Sequence, residues 1–144
     1  MGFLGTKAGF PADLNLIAQI VIIALLTLSW RYASKKKLKT HGKLMITTVV
    51  INAAMIALVM APSLFLGLGA ITSNPLNPGS LLSVVHVAVG TIAWLGGVYL
   101  TWSWKLNDST AECFKRRKLM KPIIGLWLVA AVLGVVFYVY YYVI

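Results

Sequence analysis

Four stretches of this chain, residues 14–34, 44–68, 81–104 and 119–143, are almost wholly apolar. Each exceeds the roughly 20 residues that a helix rising about 1.5 Å per residue needs to cross a hydrocarbon core of about 30 Å. Within lipid there is no water to pair backbone N–H and C=O, so a spanning segment must be a helix or part of a closed barrel. The four runs lack the residue-by-residue alternation of barrel strands. The sequence therefore predicts an all-α polytopic membrane protein: a single domain over 1–144 with four transmembrane helices arranged as two antiparallel hairpins.

Charge orients that arrangement. Of the 13 lysines and arginines, 12 fall in Arg31–Lys43 and Lys105–Lys121, each stretch wedged between apolar runs. Basic loops are retained on the cytoplasmic side, which predicts a cell-membrane protein with loops 35–43 and 105–118 cytoplasmic. The termini and the loop 69–80 are then outside. Anionic lipid would reinforce this by about 1 kcal/mol per basic residue near the surface. The net charge of +10 is thus explained by orientation, and lipids rather than nucleic acid are the expected partners. With 60% hydrophobic and 11% charged residues, no room remains for a soluble domain. The first 15 residues lack a short apolar core ending in a small-residue cleavage site and are expected to be retained.

Local signals mark the ends of the spans. Pro11 and Asp13 suit a helix start. Trp30, Tyr32, Trp102 and Trp104 mark one interface, and Phe137, Tyr138, Tyr140, Tyr141 and Tyr142 form a belt at the other. Asn74-Pro75-Leu76-Asn77-Pro78-Gly79-Ser80 is built for turns, with Ser80 as the expected helix cap, and so short a link should make the second and third helices neighbours. Asn107 to Glu112 reads as a polar turn containing the sequon Asn107-Asp108-Ser109. Lys43-Leu44-Met45 recurs 75 positions later as Lys118-Leu119-Met120, which pairs His41 with Arg116 and Asn52 with Trp127.

Helical spacing also predicts which faces meet. Ser83, His86, Gly90, Ala93, Gly97, Thr101 and Trp104 recur at steps of three or four. Small residues on one stripe allow the close backbone approach that drives helix association in lipid. Asn15, Gln19, Ile22, Leu26 and Ser29 share a face of the first helix, Thr48, Asn52, Met55, Val59 and Pro62 a face of the second, and Trp127, Ala131, Gly134, Tyr138 and Tyr141 a face of the fourth, and these stripes are expected to form the bundle interior. Interhelical hydrogen bonds from Asn15, Gln19 or Asn52 should contribute about 0.6 kcal/mol each. Pro62 should kink the second helix.

The chemistry on offer is sparse. No Asp, Glu, Lys or Arg lies deep in a span, although proton relays and most carriers depend on such groups. The acids are Asp13, Asp108 and Glu112, all expected outside the hydrocarbon. No carboxylate pair, HExxH, nucleophile elbow or phosphate loop occurs, so catalysis is not expected. Cys113 is the only cysteine, which excludes an intramolecular disulfide, a thiolate cluster and a CxxC pair. His86 is the sharpest candidate, able to ligate haem or copper or to hydrogen-bond across the bundle. Met60 should lie at a similar depth. His41, among Lys37, Lys39 and Lys43, has the same two options, but it lies roughly 20 Å or more from His86 by helix rise. The two cannot be axial ligands of one haem, and no metal or cofactor is expected as a resident group.

His41-Gly42-Lys43-Leu44-Met45, His86, Arg116-Arg117-Lys118-Leu119-Met120-Lys121, Trp127 and Gly134-Val135-Val136-Phe137-Tyr138 resemble, in order over residues 38–142, the small four-helix membrane proteins of the domain-of-unknown-function four-twenty family. The resemblance implies an association with haem–copper terminal oxidases. His41 and His86 match family positions. Arg116 stands where the family carries a histidine, and another expected histidine falls near Pro62. These departures suit a relative that kept the scaffold and lost the site.

The expected role is a non-catalytic accessory subunit among the other membrane subunits of an oxidoreductase complex, either a terminal oxidase or a copper-dependent membrane monooxygenase. The alternative is a haem- or copper-handling assembly factor using His86 with Met60 or His41. The orientation is directly testable: Cys113 should react with a membrane-impermeant maleimide only when the cytoplasmic face is open. Labelling of intact cells would reverse the topology.

Overall fold

The computed structural model describes residues 2–104 and 110–144. Every regular element among them is helical: α1 (Phe10–Ser34), α2 (Leu38–Met55), a π-helical turn (Ile56–Met60), α3 (Ala61–Ser73), α4 (Pro78–Trp104) and α5 (Thr110–Tyr142). α2, the π turn and α3 run on as one helical span, so four helices are long and apolar enough to cross a membrane. They fit a multi-pass membrane protein.

The helices outrun the apolar segments. The second span begins at Leu38 rather than 44 and ends at Ser73 rather than 68, and the fourth begins at Thr110 rather than 119. Lysine and arginine end a hydrophobic run but are good helix formers, so the ladder continues through Lys39, Lys43 and Lys115–Lys121. In the first turns of α5, Lys115 Nζ donates to Glu112 Oε1 at 3.1 Å. Thr110–Glu112, expected in a polar turn, are already helical. Lys105 and the Asn107-Asp108-Ser109 sequon lie outside the described residues.

Two connections show how the chain reverses. After α1, Lys36 takes φ 58°, Lys36 N–H bonds to the Ala33 carbonyl and Lys37 N–H to that of Tyr32, both at 3.0 Å. This is the helix-ending motif in which one left-handed residue satisfies the last carbonyls. Before α4 the cap is Asn77, not Ser80: Asn77 Oδ1 accepts from Gly79 N–H at 2.9 Å. Pro78 then fills the first helical position, where a missing N–H costs nothing, and Ser80 is buried one turn further in.

Packing follows the small residues. The most extensive contacts are α4 with α5 and α1 with α2, tied together by α1 on α5 and α2 on α4. A methyl group added at Gly97 would strike the Trp127 ring, one at Gly96 the Ile123 side chain, and one at Gly42 the Trp104 ring. Ile22, Leu26, Met45, Ala93 and Trp127 form the central cluster. The exterior is apolar, with Leu66 89% and Trp102 79% exposed, while Asp13, Ser29 and Thr48 are fully buried. Such a distribution suits a lipid surround.

α3 departs from this scheme. None of its residues is buried, and it packs on neither α4 nor α5 to any comparable extent. The expected proximity of the second and third spans therefore holds along α2, where Trp94 Nε1 donates to the Val49 carbonyl at 3.3 Å, and lapses along α3. The cause lies in the backbone. Pro62 has no N–H to return to the preceding turn and its ring crowds that turn's carbonyl. The ladder widens to a π turn immediately before it, a form of irregularity found frequently at functional sites.

Overpacking tests the contact between α2 and α4. Gly42→Val should destabilise the chain by about 1–3 kcal/mol, read by thermal unfolding in detergent, whereas Gly67→Ala, where an added methyl meets no atom within 4 Å, should change it by no more than about 0.5 kcal/mol.

Candidate functional site

Three polar clusters occupy three levels of the bundle. At the basic end, His41 is 3% exposed and lies one turn into α2. Its Nδ1 is 2.7 Å from Ser29 Oγ and 3.1 Å from the Ser29 carbonyl, and the same hydroxyl lies 3.3 Å from the His41 carbonyl oxygen. The imidazole thus pins α2 to α1. Its ring lies 6.3 Å from that of Trp104, beside a small cavity of about 30 Å³ also bounded by Met45, Arg116 and Met120. Residues paired by the 75-residue offset, His41 with Arg116 and Met45 with Met120, therefore meet at one place.

At the end where the chain termini lie, residues 2–9 fold back over the bundle. Gly2 N–H bonds to the Ala8 carbonyl at 2.6 Å, and Leu4 N–H bonds to Asp13 Oδ2 at 2.9 Å. Tyr138 donates its hydroxyl to Asp13 Oδ1 at 2.5 Å and lies 2.7 Å from Thr6 Oγ1. Asp13 is fully buried inside α1, and Tyr138, on the stripe of the fourth span expected to turn inward, is 6% exposed. A charge-assisted bond of this kind is worth more than a neutral one, and it joins the two ends of the chain. One signal was present in the sequence: an even number of spans places both termini at one level, where a lone acid and a tyrosine cluster can meet.

Between these pins lies a chamber. Gln19 of α1 is 4% exposed and Asn52 of α2 is 8% exposed; with His86 of α4 they line a cavity of about 170 Å³ beside the π turn. The interhelical bonds expected of Asn15, Gln19 and Asn52 do not form: among the described residues none of the three amides has a side-chain hydrogen bond, and Asn15 Oδ1 and His86 Nδ1 are buried without a partner. The π turn and the departure of α3 explain this for Gln19 and Asn52, because they leave those two side chains facing the cavity. A second cavity, about 360 Å³, adjoins the first across Met60, Leu64, His86 and Val87 and runs between α3 and the rest of the bundle to the end where the chain termini lie.

His86 and Met60 are thus brought to the same cavities, as their depths suggested, while His41 is not. The His86 ring lies 6.4 Å from that of Phe137, and a methyl at Gly134 would sit 3.2 Å from His86 Cε1. Of the α4 stripe, Ser83, Ala93 and Gly97 are buried, and Gly90 and Thr101 partly so. No aspartate, glutamate, lysine or arginine lines either cavity, so the site is electrically neutral and suited to hydrogen-bonding recognition. Among the described residues no group of three or more His, Cys, Asp or Glu is placed to hold a metal ion. Comparison of the chain with known protein families, with curated proteins and with solved structures finds no match.

The pin between Asp13 and Tyr138 makes a sharp prediction. Tyr138→Phe removes the hydroxyl that satisfies a buried carboxylate and should cost about 1–3 kcal/mol of stability. In Asp13→Asn the same tyrosine change should cost measurably less, and strict additivity of the two substitutions in thermal unfolding would show that the bond contributes nothing.

Proposed function

We propose that the chain is a non-catalytic accessory subunit of a membrane-embedded oxidoreductase complex, a terminal oxidase or a copper-dependent membrane monooxygenase. It lies in the cell membrane as two antiparallel hairpins, with the basic end cytoplasmic and both termini outside. One observation carries this reading: α3 leaves the bundle and buries none of its 13 residues. Its outward side presents Phe65 and Leu66, 72% and 89% exposed, continuing from Leu58 of the π turn at 71%, and an open Gly69. In lipid, helices associate by close packing rather than by apolar burial, and α3 makes little of that packing within its own chain. A transmembrane helix of a neighbouring subunit is the occupant this side suits. The two buried pins at His41 and Asp13 support a structural role, since each spends its polar groups on holding helices in register. The likeness to an oxidase-associated family points the same way.

A second reading, a haem- or copper-handling assembly factor, draws on His86 Nδ1 being unpartnered beside the cavity that Met60 shares. It predicts a Soret band or stoichiometric copper in the purified chain, lost in His86→Ala.

Affinity purification from native membranes tests the leading proposal. The chain should co-migrate with a larger redox enzyme. Phe65→Ala with Leu66→Ala should lower recovery of that enzyme several-fold while leaving the chain's own unfolding unchanged. Recovery only as a free chain would refute it.

A further inference from the structure

We propose that the chamber beside the π turn is a binding site for a lipid-soluble quinone or quinol, with the ring between Gln19, Asn52 and His86 and the tail along the cleft under α3. This goes beyond the accessory role and does not rest on it, because binding is a property of the isolated chain.

Unpaired polar groups give the site its chemistry. Buried polar atoms in proteins are almost always hydrogen-bonded, and each exception calls for an occupant or a reason. Here two amides more than nine-tenths buried, neither of them hydrogen-bonded, come with His86 from three helices to one cavity. A water takes up about 30 Å³, so the 170 Å³ of the chamber holds about five waters or one substituted six-membered ring. The side-chain amides offer N–H to a ring carbonyl and C=O to a ring hydroxyl. Quinone and quinol can both be held, the first by donors and the second by acceptors.

Shape and charge narrow the class. The chamber opens into the longer cleft of about 360 Å³, whose wall along α3 is mainly apolar, with Leu64, Gly67, Ala70 and Ile71 beside the single hydroxyl of Ser63. A small polar head with a flexible apolar tail matches that pair of spaces. The head must be neutral. Neither cavity carries a lysine or arginine, so a phosphate, a fatty carboxylate or the propionates of a haem would enter without a counter-charge, at a cost of several kcal/mol. The ring has a wall at Trp127 and open space at Gly90, where an added methyl would find Ala130 Cβ as its nearest neighbour at 3.9 Å.

The open space at Gly90 provides a clean test. The purified chain in detergent is titrated with a benzoquinone carrying a decyl tail and with its quinol, followed by tryptophan quenching and equilibrium dialysis. Saturable one-to-one binding is expected, weakened about tenfold or more in Gln19→Leu and in Asn52→Leu, a loss of about 1.4 kcal/mol per tenfold. Gly90→Leu fills the chamber without touching a polar group and should abolish binding. Thr47→Ala, which removes an exposed hydroxyl bonded to its own helix, should leave it unchanged. Decanoate and decyl phosphocholine should not compete. Thermal unfolding of each variant identifies those that fold. Uptake that only follows partition into micelles, binding that survives Gly90→Leu, or equal competition by the charged amphiphiles would overturn the proposal.

Discussion

In an apolar surround a polar side chain has no water to fall back on, and every such group in this bundle must find a partner within the chain or leave space for one. The polar clusters divide along that line, while Trp104 Nε1, beside His41, is buried without a partner. At the basic end His41 and Ser29 satisfy each other, and at the other Asp13 is held by Leu4 and Tyr138. These two pins fix α1 to α2 and α1 to α5, so the bundle is tied at both levels. Between them Gln19, Asn52 and His86 face a shared space with no bond to one another.

The space exists because of the second span. A straight helix from Leu38 to Ser73 would lay its far half against α4, given the four-residue link at 74–77. Pro62 disrupts the regular ladder, the turn before it widens to five-residue bonding, and α3 stands clear. A single residue without an N–H thus sets local geometry, the local geometry sets packing, and the packing leaves the middle-level amides open. The same displacement gives the chain an unpacked outer side at Leu58, Phe65 and Leu66. An inner chamber for a small neutral molecule and an outer contact for a neighbouring helix are two consequences of one backbone event, and they use different sides of α3.

Much of the fold was legible because lipid crossing depends on apolar length, which the sequence displays directly. The helix limits were not, since the charges at Lys39, Lys43 and Lys115–Lys121 end hydrophobicity without ending hydrogen bonding. The inward stripe of α4 was readable from its small residues, and Gly97 and Gly42 do receive indole rings. The inward placing of Gln19 and Asn52 was readable from helical period, but their lack of partners was not. Period fixes direction, whereas a hydrogen bond depends on separation, and separation here follows from a π turn in the apolar run 56–60 that only Pro62 hints at. The inward placing of Tyr138 was readable in the same way, on one helical stripe with Trp127 and Ala131, all three buried, but its bond to Asp13 depends on separation and was not.

The most direct test is to image the chain in a native lipid bilayer at a resolution that shows ordered non-protein density. A flat density is expected between Gln19, Asn52 and His86, continuing along α3 toward the end where the chain termini lie. A chamber closed by α3 returning to α4, with the two amides bonded across it, would mean that no ligand is held there.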